Sequence, residues 1–171
     1  RTLRRKGIQW YYEMRHLGFN YRITDIQCAL GVCQLKKLDT FIEKRRELAA
    51  FYADAFRNVE EIAPLCERPY VRSAYHLYVV RLRDRYLRGR RKEIFRLLES
   101  KGIYPQVHYI PIYLQPYYAK LGYRKGLCPR AEAYYEEGLS LPLYPKMKLS
   151  DARYVGRCLI SAIELSKRGG T

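Results

Sequence analysis

The sequence predicts a small α/β layer in which helices pack on a short sheet. Apolar residues recur at helical spacing over several stretches, and two short segments between them are rich in β-branched and aromatic residues. Size is a further indication, because 171 residues with 48% hydrophobic content can build one core and parts of a neighbouring domain. This composition excludes an intrinsically disordered chain.

The first helical stretch begins at Thr24 and continues to about Phe56, with apolar residues mostly three or four positions apart. This spacing predicts one long helix or two helices in tandem. Thr24 and Gln27 have the spacing of a capping box, and Asp25 places a negative charge at the positive end of the helix dipole. We therefore interpret Thr24 as a structural residue.

Strands and helices alternate through the rest of the chain, separated by proline and glycine. Residues 74–82 and 104–110 have the composition of strands, and Gly102 is placed to end the helix between them in a left-handed conformation. The other predicted elements are a linker between Pro64 and Pro69, helices at 90–100, 130–139 and 150–165, a cap of Ser150 and Asp151 on the last helix, and a short extended piece at 141–144.

The formal net charge of +16 attracts phosphate groups of any kind, including nucleic acids and nucleotide substrates. The densest basic run, RLRDRYLRGRRKEIFR at 81–96, interleaves arginines with Tyr86 and Phe95, so it has both phosphate-contacting and stacking groups. The same run also has the composition of a solvated strand end, turn and helix start. We favour this second interpretation, because the run matches no nucleic-acid-binding signature.

The spacing of cysteines and histidines gives no indication of a metal site. The five cysteines are odd in number and lack C-x-x-C pairs, so we interpret them as reduced core thiols, and the three histidines stand far apart. The basic N-terminus lacks the apolar run of a signal peptide, and no segment has the length and apolarity of a membrane span. We expect a soluble cytoplasmic protein without a metal.

Seven motifs follow one another in an order that resembles a known enzyme family. They are GFNYRITDIQCALG at 18–31, QLKKLD at 34–39, SAYHLYVV at 73–80, VHYIP at 107–111, QPYY at 115–118, CPRAE at 128–132 and LSLPLYP at 139–145. In sequence and order they resemble the DegT/DnrJ/EryC1/StrS aminotransferases, and the resemblance runs from about residue 3 to residue 164. The first motif is long and specific.

The resemblance implies the C-terminal small domain of a fold-type I, aspartate aminotransferase-like transferase. Such a domain has a short, mostly antiparallel sheet with flanking helices, preceded by long connecting helices. The chain then divides into a segment leaving a large cofactor-binding domain at 1–23, a connecting helix or helix pair at 24–57, and the small domain at 70–168. The resemblance further implies a homodimer that uses pyridoxal 5′-phosphate to transfer an amino group, from glutamate, to a UDP-linked 4-keto-6-deoxy sugar.

In this family the lysine that bonds to the cofactor precedes the matched stretch. The aspartate that pairs with the pyridine nitrogen and the ring that stacks on the cofactor also precede it. Lys36, Lys101 and Lys120 lie in no context that resembles that lysine. The resemblance therefore implies a partial chain that contains no catalytic residue and does not bind the cofactor covalently.

The resemblance also suggests binding residues. Asn20 matches the asparagine that reaches the cofactor phosphate of the neighbouring subunit, although an asparagine here would also suit a turn before Thr24. Arg22 is placed to pair with a phosphate or carboxylate of the substrates, or with a nearby acid. His108 and Tyr109 are candidates for contacting the nucleotide sugar, with ordinary packing on a strand as the alternative.

Three tyrosines, Tyr113, Tyr117 and Tyr118, are candidates for lining the same mouth, and His76 is predicted to lie in the core. A second class of function stays open. A non-catalytic protein with this fold would use its excess of lysine and arginine to hold nucleic acid or another polyanion.

Overall fold

The structure is a computed structural model of the chain and describes residues 16–19, 21–83, 87 and 89–168. The chain divides into two units, with the boundary between Leu38 and Asp39. None of the described helices combines the length and apolarity that a bilayer span requires.

The first unit contains the helix α1 (Asp25–Leu35), which Thr24 caps as predicted. The Thr24 hydroxyl accepts a hydrogen bond from the Gln27 N–H at 3.3 Å, and the Thr24 N–H donates to Gln27 Oε1 at 3.0 Å. The helix stops before Lys36, so the predicted stretch at 24–56 is two helices in tandem. No residue of α1 is buried, and its apolar side chains, such as Leu30, are exposed.

The second unit is a three-stranded antiparallel sheet with flanking helices, which confirms the predicted fold class. β2 is the central strand: its Val80 pairs with Pro64 of β1 on one side and with Leu139 of β3 on the other. The elements in chain order are α2 (Leu38–Ala55), β1 (Ile62–Pro64), β2 (Tyr78–Leu82), α3 (Arg91–Glu99), α4 (Pro116–Lys120), α5 (Pro129–Glu137), β3 (Gly138–Leu141) and α6 (Leu149–Arg168).

One hydrophobic core joins the sheet to the long helices. Tyr52 of α2 stacks on Phe56 with ring centroids 5.8 Å apart and also contacts Tyr78 of β2 at 4.9 Å. Each fully buried leucine or isoleucine of this core stabilises the fold by about 1.5–3 kcal/mol relative to an exposed one. Buried residues recur along α6 at three- and four-residue spacing, which is why the sequence predicted it: Ala152, Val155, Leu159, Ala162 and Ile163.

Helix α3 and its termination follow the prediction closely. It occupies residues Arg91–Glu99, and Gly102 has a φ of +71°, the left-handed conformation expected of it. The cap of α6 differs slightly, because the helix begins at Leu149 rather than at Ser150. Asp151 then lies inside the first turn, where its Oδ2 accepts a hydrogen bond from the Lys148 N–H at 3.0 Å.

The first predicted strand begins later than expected. Instead of starting at residue 74, β2 starts at Tyr78. Arg45 of α2 explains the difference, since its Nη1 donates to the carbonyl oxygens of Tyr75 at 3.2 Å and His76 at 3.1 Å. A side chain distant in sequence therefore binds the carbonyls that a longer strand would have offered to a neighbour. His76 is exposed, so its predicted place in the core was wrong.

A strand that sequence composition did not indicate lies just before the linker predicted between Pro64 and Pro69. β1 has only three residues, of which Ile62 and Ala63 are buried, and it pairs with Leu82 and Arg81 of β2. Pro64 ends this strand. A proline suits a strand at the edge of a sheet, because the N–H that it lacks is not needed to pair with a neighbouring strand on the open side.

The last strand lies earlier than the extended piece predicted at 141–144. Helix α5 ends at Glu137 and β3 begins directly at Gly138. A Cβ at Gly138 would lie 2.8 Å from the Tyr134 carbonyl oxygen, so a glycine is required for the chain to leave the helix so abruptly. Arg91 of α3 stabilises the junction by donating to the carbonyl oxygens of Tyr135 and Gly138.

The cysteines are not core thiols, with one partial exception. Cys28, Cys33, Cys66 and Cys128 are exposed and Cys158 is half-buried. The prediction rested on the number and spacing of the cysteines, which do not determine burial. It was wrong for the four exposed cysteines, two of which, Cys28 and Cys33, belong to α1, a helix that buries none of its residues.

Candidate functional site

The candidate site lies at the free edge of β3, where residues 104–110 approach the sheet. Gln106 and Ser140 exchange two backbone hydrogen bonds, of 3.0 Å from Gln106 N and 2.8 Å from Ser140 N. In the described structure this single bridge replaces the strand predicted at 104–110. It fixes the segment beside β3 and so positions His108 and Tyr109, which follow closely along the chain.

Two of the predicted site residues, His108 and Tyr109, lie together at this edge. The ring of His108 is half-buried, and its Nδ1 lies 2.7 Å from the Oγ of Ser140. The ring of Tyr109 is 73% exposed and meets the imidazole edge to face, with centroids 4.6 Å apart. The peptide bond between the two residues is cis. The pair thus presents an imidazole and a phenol to solvent.

Ser140 is a site residue that the sequence analysis missed. It is only 4% exposed, yet its hydroxyl binds the imidazole of His108. It lies in the motif LSLPLYP at 139–145, which contributed to the family resemblance without any role being assigned to its members. Ser140 stands between two leucines in β3, a strand whose four residues are all buried. A serine in so apolar a motif needs a hydrogen-bond partner if it is buried, and that is the signal from which it could have been found.

The predicted third contributor to the site, Tyr113, is buried and engaged elsewhere. Its hydroxyl donates to Oε1 of Glu132 at 2.6 Å, and the same oxygen accepts from the N–H of Gly126 at 2.6 Å. These bonds lower the pKa of Glu132, with the Tyr113 bond as the main cause, while burial raises the pKa of Tyr113 to about 12. The motif CPRAE at 128–132 therefore contains a structural carboxylate that binds the loop before α5.

Tyr117 and Tyr118 belong to α4 and form an aromatic cluster of their own. Tyr117 is exposed, and its ring meets that of Tyr118 at 5.3 Å; Tyr118 also contacts Tyr123 at 6.2 Å. The described contacts of Tyr118 are thus with neighbouring aromatic rings. Of the three tyrosines, Tyr117 is the one whose exposure leaves it available to a ligand.

A second polar cluster binds α2 to the segment before β2. The guanidinium of Arg46 makes two hydrogen bonds to the Glu67 carboxylate, of 2.8 and 3.2 Å, and donates to the Ser73 carbonyl at 2.8 Å. Glu67 also accepts from the Ser73 N–H and from the Tyr75 hydroxyl. These bonds, first that of Arg46, lower the pKa of Glu67 to about 2. Because the carboxylate is fully bound, the cluster is structural.

The other two predicted site residues belong to the first unit. Arg22 is exposed. Asn20 lies outside the described residues, so its predicted contact with a cofactor phosphate stays a prediction.

The described lysines do not fit the site of a cofactor-bonded lysine. Such a lysine is held in a pocket that shields its amine from water. Lys36, Lys101 and Lys120 are exposed, and the other lysines of the described residues are exposed as well. The described part of the chain therefore offers no shielded lysine amine to the cofactor.

The basic run at 81–96 is used internally at several places. Arg81 forms an ion pair with Glu137 at 3.8 Å, Arg90 donates to the Ser166 carbonyl, and Arg91 stacks on Tyr135 with its guanidinium 4.9 Å from the ring centroid. Part of the run, at 84–86 and 88, lies outside the described residues. The internal bonds agree with our interpretation of the run as a strand end, turn and helix start.

The fold and this site define a small α/β domain whose polar edge is suited to binding. Residues 1–160 match the model of the DegT/DnrJ/EryC1/StrS aminotransferase family. The chain belongs to this family, as its motifs indicated, and aminotransferases of the family depend on pyridoxal phosphate.

Among the relatives, the UDP-4-amino-4,6-dideoxy-N-acetyl-beta-L-altrosamine transaminase of Campylobacter jejuni is 39% identical over 160 residues, 94% of this chain and 42% of that protein. Among solved structures, PseC of Helicobacter pylori, an aminotransferase of pseudoaminic acid biosynthesis, is 30% identical with a TM-score of 0.79, over 95% of this chain and 43% of that one.

The PLP form of Spr1654, a putative sugar aminotransferase of Streptococcus pneumoniae, has a TM-score of 0.82 at 28% identity and is matched over 92% of this chain and 40% of that one. The chain thus spans about two fifths of the length of the proteins it matches.

Proposed function

We propose that the chain is the C-terminal region of a nucleotide-sugar aminotransferase whose cofactor-bonded lysine lies outside these 171 residues. The family match over residues 1–160 is the observation that supports this most strongly. The exposure of every described lysine supports the second half of the proposal. The proposed substrate is a UDP-linked 4-keto-6-deoxy sugar, in line with the name of the relative in Campylobacter jejuni. The proposed amino donor is glutamate.

In this proposal the chain supplies binding groups rather than the reactive amine. Pyridoxal phosphate, when bound, supplies the electron sink for amino transfer. Asn20 holds the phosphate of the neighbouring subunit's cofactor, and Arg22 pairs with an anionic group of a substrate. His108 and Tyr109 contact the nucleotide sugar at the edge of β3, where their rings lie side by side.

The proposed protein is a cytoplasmic homodimer. Residues 1–23 leave the large domain, residues 24–57 form the connecting helices, and residues 70–168 form the small domain. Exposed apolar side chains in the connecting region, among them Leu30 and Leu38, support a partner surface there. Light scattering of the full-length protein tests this part, and a monomer at micromolar concentration would contradict it.

The activity is tested on the full-length protein that contains this chain. It is incubated with glutamate and a UDP-linked 4-keto-6-deoxy-N-acetylhexosamine, and mass spectrometry follows replacement of the keto oxygen by an amino group. We expect transfer, and we expect Asn20→Ala to weaken pyridoxal phosphate binding about tenfold. Gln34→Ala, an exposed substitution on α1, is the control and should leave cofactor binding unchanged. Absence of transfer would contradict the proposal.

A further inference from the structure

The backbone of Ser140 is held on both sides, which fixes the position of its side chain. Ser140 pairs with Val79 of β2, and on its other side its N–H and carbonyl bond to Gln106 at 2.8 and 3.0 Å. The residue is 4% exposed. A buried hydroxyl on a strand that is paired at both edges has little freedom to move, so it can orient another group accurately.

The Ser140 hydroxyl has one hydrogen-bond partner among the described residues, and that partner is Nδ1 of His108 at 2.7 Å. A buried hydroxyl proton without an acceptor is costly, and the imidazole nitrogen is the acceptor that the described structure offers. If Ser140 donates, then Nδ1 of the neutral imidazole accepts and the ring proton sits on Nε2.

The other ring nitrogen of His108, Nε2, is not fully buried. Nε2 makes no hydrogen bond to a described residue, and the one buried side-chain nitrogen or oxygen without a partner in the described structure is the Tyr78 hydroxyl. Nε2 of the half-buried His108 is therefore accessible. It lies on a ring that contacts the exposed ring of Tyr109, so a ligand can meet both side chains.

We propose that Ser140 is a positioning residue that holds His108 as the Nε2–H tautomer, so that His108 donates a hydrogen bond to an oxygen atom of the nucleotide sugar. The substrate contact rests on the proposed function, while the tautomer rests on the Ser140 geometry alone. A hydrogen-bond donor that does not need a positive charge binds its acceptor oxygen at neutral pH and above.

The tautomer is tested on the full chain by long-range ¹H–¹⁵N NMR, at about pH 8.5 where histidines are neutral. The sequence has three histidines, His16, His76 and His108, so assignment is direct. We expect His108 to be wholly the Nε2–H form, and we expect Ser140→Ala to give it a mixture of the two tautomers, as we also expect at exposed His76. A predominant Nδ1–H form, or a spectrum that Ser140→Ala leaves unchanged, would overturn the assignment.

A pair of His108 substitutions, which leave the buried Ser140 in place, tests whether Nε2 is the hydrogen-bond donor to the nucleotide sugar. The amide nitrogen of glutamine can replace Nε2, whereas that of asparagine can replace Nδ1. In the full-length enzyme we expect His108→Gln to keep KM for the nucleotide sugar within about threefold, and His108→Asn and Ser140→Ala to raise it about tenfold with a smaller change in kcat.

The opposite order, with His108→Asn active and His108→Gln impaired, would overturn the proposed donor. Absence of amino transfer in the unsubstituted protein would overturn the proposed function and with it the substrate contact. The NMR result decides the role of Ser140 separately, so the two failures are distinguishable.

Discussion

The hydroxyl of Tyr113 donates a 2.6 Å hydrogen bond to the buried carboxylate of Glu132, nineteen residues further along the chain. The same hydroxyl accepts from the Cys128 N–H at 3.2 Å, and the same carboxylate oxygen accepts from the Gly126 N–H. Two side chains therefore organise the loop that connects α4 with α5. The family motif CPRAE at 128–132 therefore has a structural role, which is to hold this loop in place, rather than a role in ligand contact.

Removal of this carboxylate should destabilise the protein. Glu132→Ala leaves the Tyr113 hydroxyl and the Gly126 N–H without their acceptor, so we expect Tm to fall by several degrees in thermal unfolding followed by circular dichroism. Glu136→Ala is the matched control on the same helix, because the side-chain bond that Glu136 forms with the described residues is an exposed ion pair with Lys125. Equal Tm values for the two variants would contradict the structural role of Glu132.

The Arg46–Glu67 cluster predicts how stability depends on pH. Folding lowers the pKa of Glu67 from 4.5 to about 2, so its contribution is complete above about pH 4.5 and is lost as pH falls toward about 2. Urea unfolding of the wild type and of Glu67→Gln should show a stability difference that is constant above about pH 5 and shrinks as pH falls toward 2. A difference that stays constant down to pH 2 would refute the pKa shift.

Two buried glycines should respond in opposite ways to alanine. Gly138→Ala would place a Cβ 2.8 Å from the Tyr134 carbonyl oxygen, so the helix-to-strand junction must shift, at a cost of about 1–3 kcal/mol. At Gly156 in α6 the new Cβ would meet Phe56 at 3.8 Å, an ordinary contact, so Gly156→Ala should be neutral or stabilising by up to about 1 kcal/mol. Chemical denaturation measures both, and a stable Gly138→Ala protein would show that the junction tolerates a side chain.

The net charge of +16 does not by itself make the chain a nucleic-acid-binding protein. Arg81, Arg90 and Arg91 in the densest basic run already bond within the fold. We expect no sequence-independent binding of DNA or RNA at low salt in a fluorescence anisotropy titration. Tight binding whose affinity falls steeply with salt concentration would instead support polyanion binding.

The fold could be predicted where local chemistry determines it. The Thr24 cap, the left-handed Gly102 and the periodic apolar face of α6 all depend on residues within a few positions of one another. Predictions failed where a distant side chain competes for the backbone. Arg45 binds the carbonyls of Tyr75 and His76 and so delays the start of β2, an effect that composition near β2 could not reveal.

The candidate site could be predicted in part, for a similar reason. His108 and Tyr109 were found from their motif and do lie together at the edge of β3. Ser140 was missed, because its contact with His108 joins two motifs thirty-two positions apart and depends on the Gln106 bridge. Tyr113 was assigned to the site from its neighbours in sequence, whereas its ring is buried and its hydroxyl belongs to the Glu132 network.

We propose that this part of the enzyme binds the cofactor and substrate but does not supply the lysine that bonds to the cofactor. Borohydride reduction of the full-length protein with pyridoxal phosphate, followed by peptide mass spectrometry, locates that lysine directly. We expect the pyridoxyl group on a lysine outside the 171 residues. A stoichiometric pyridoxyl group on Lys36, Lys101, Lys120 or another lysine within them would contradict the claim.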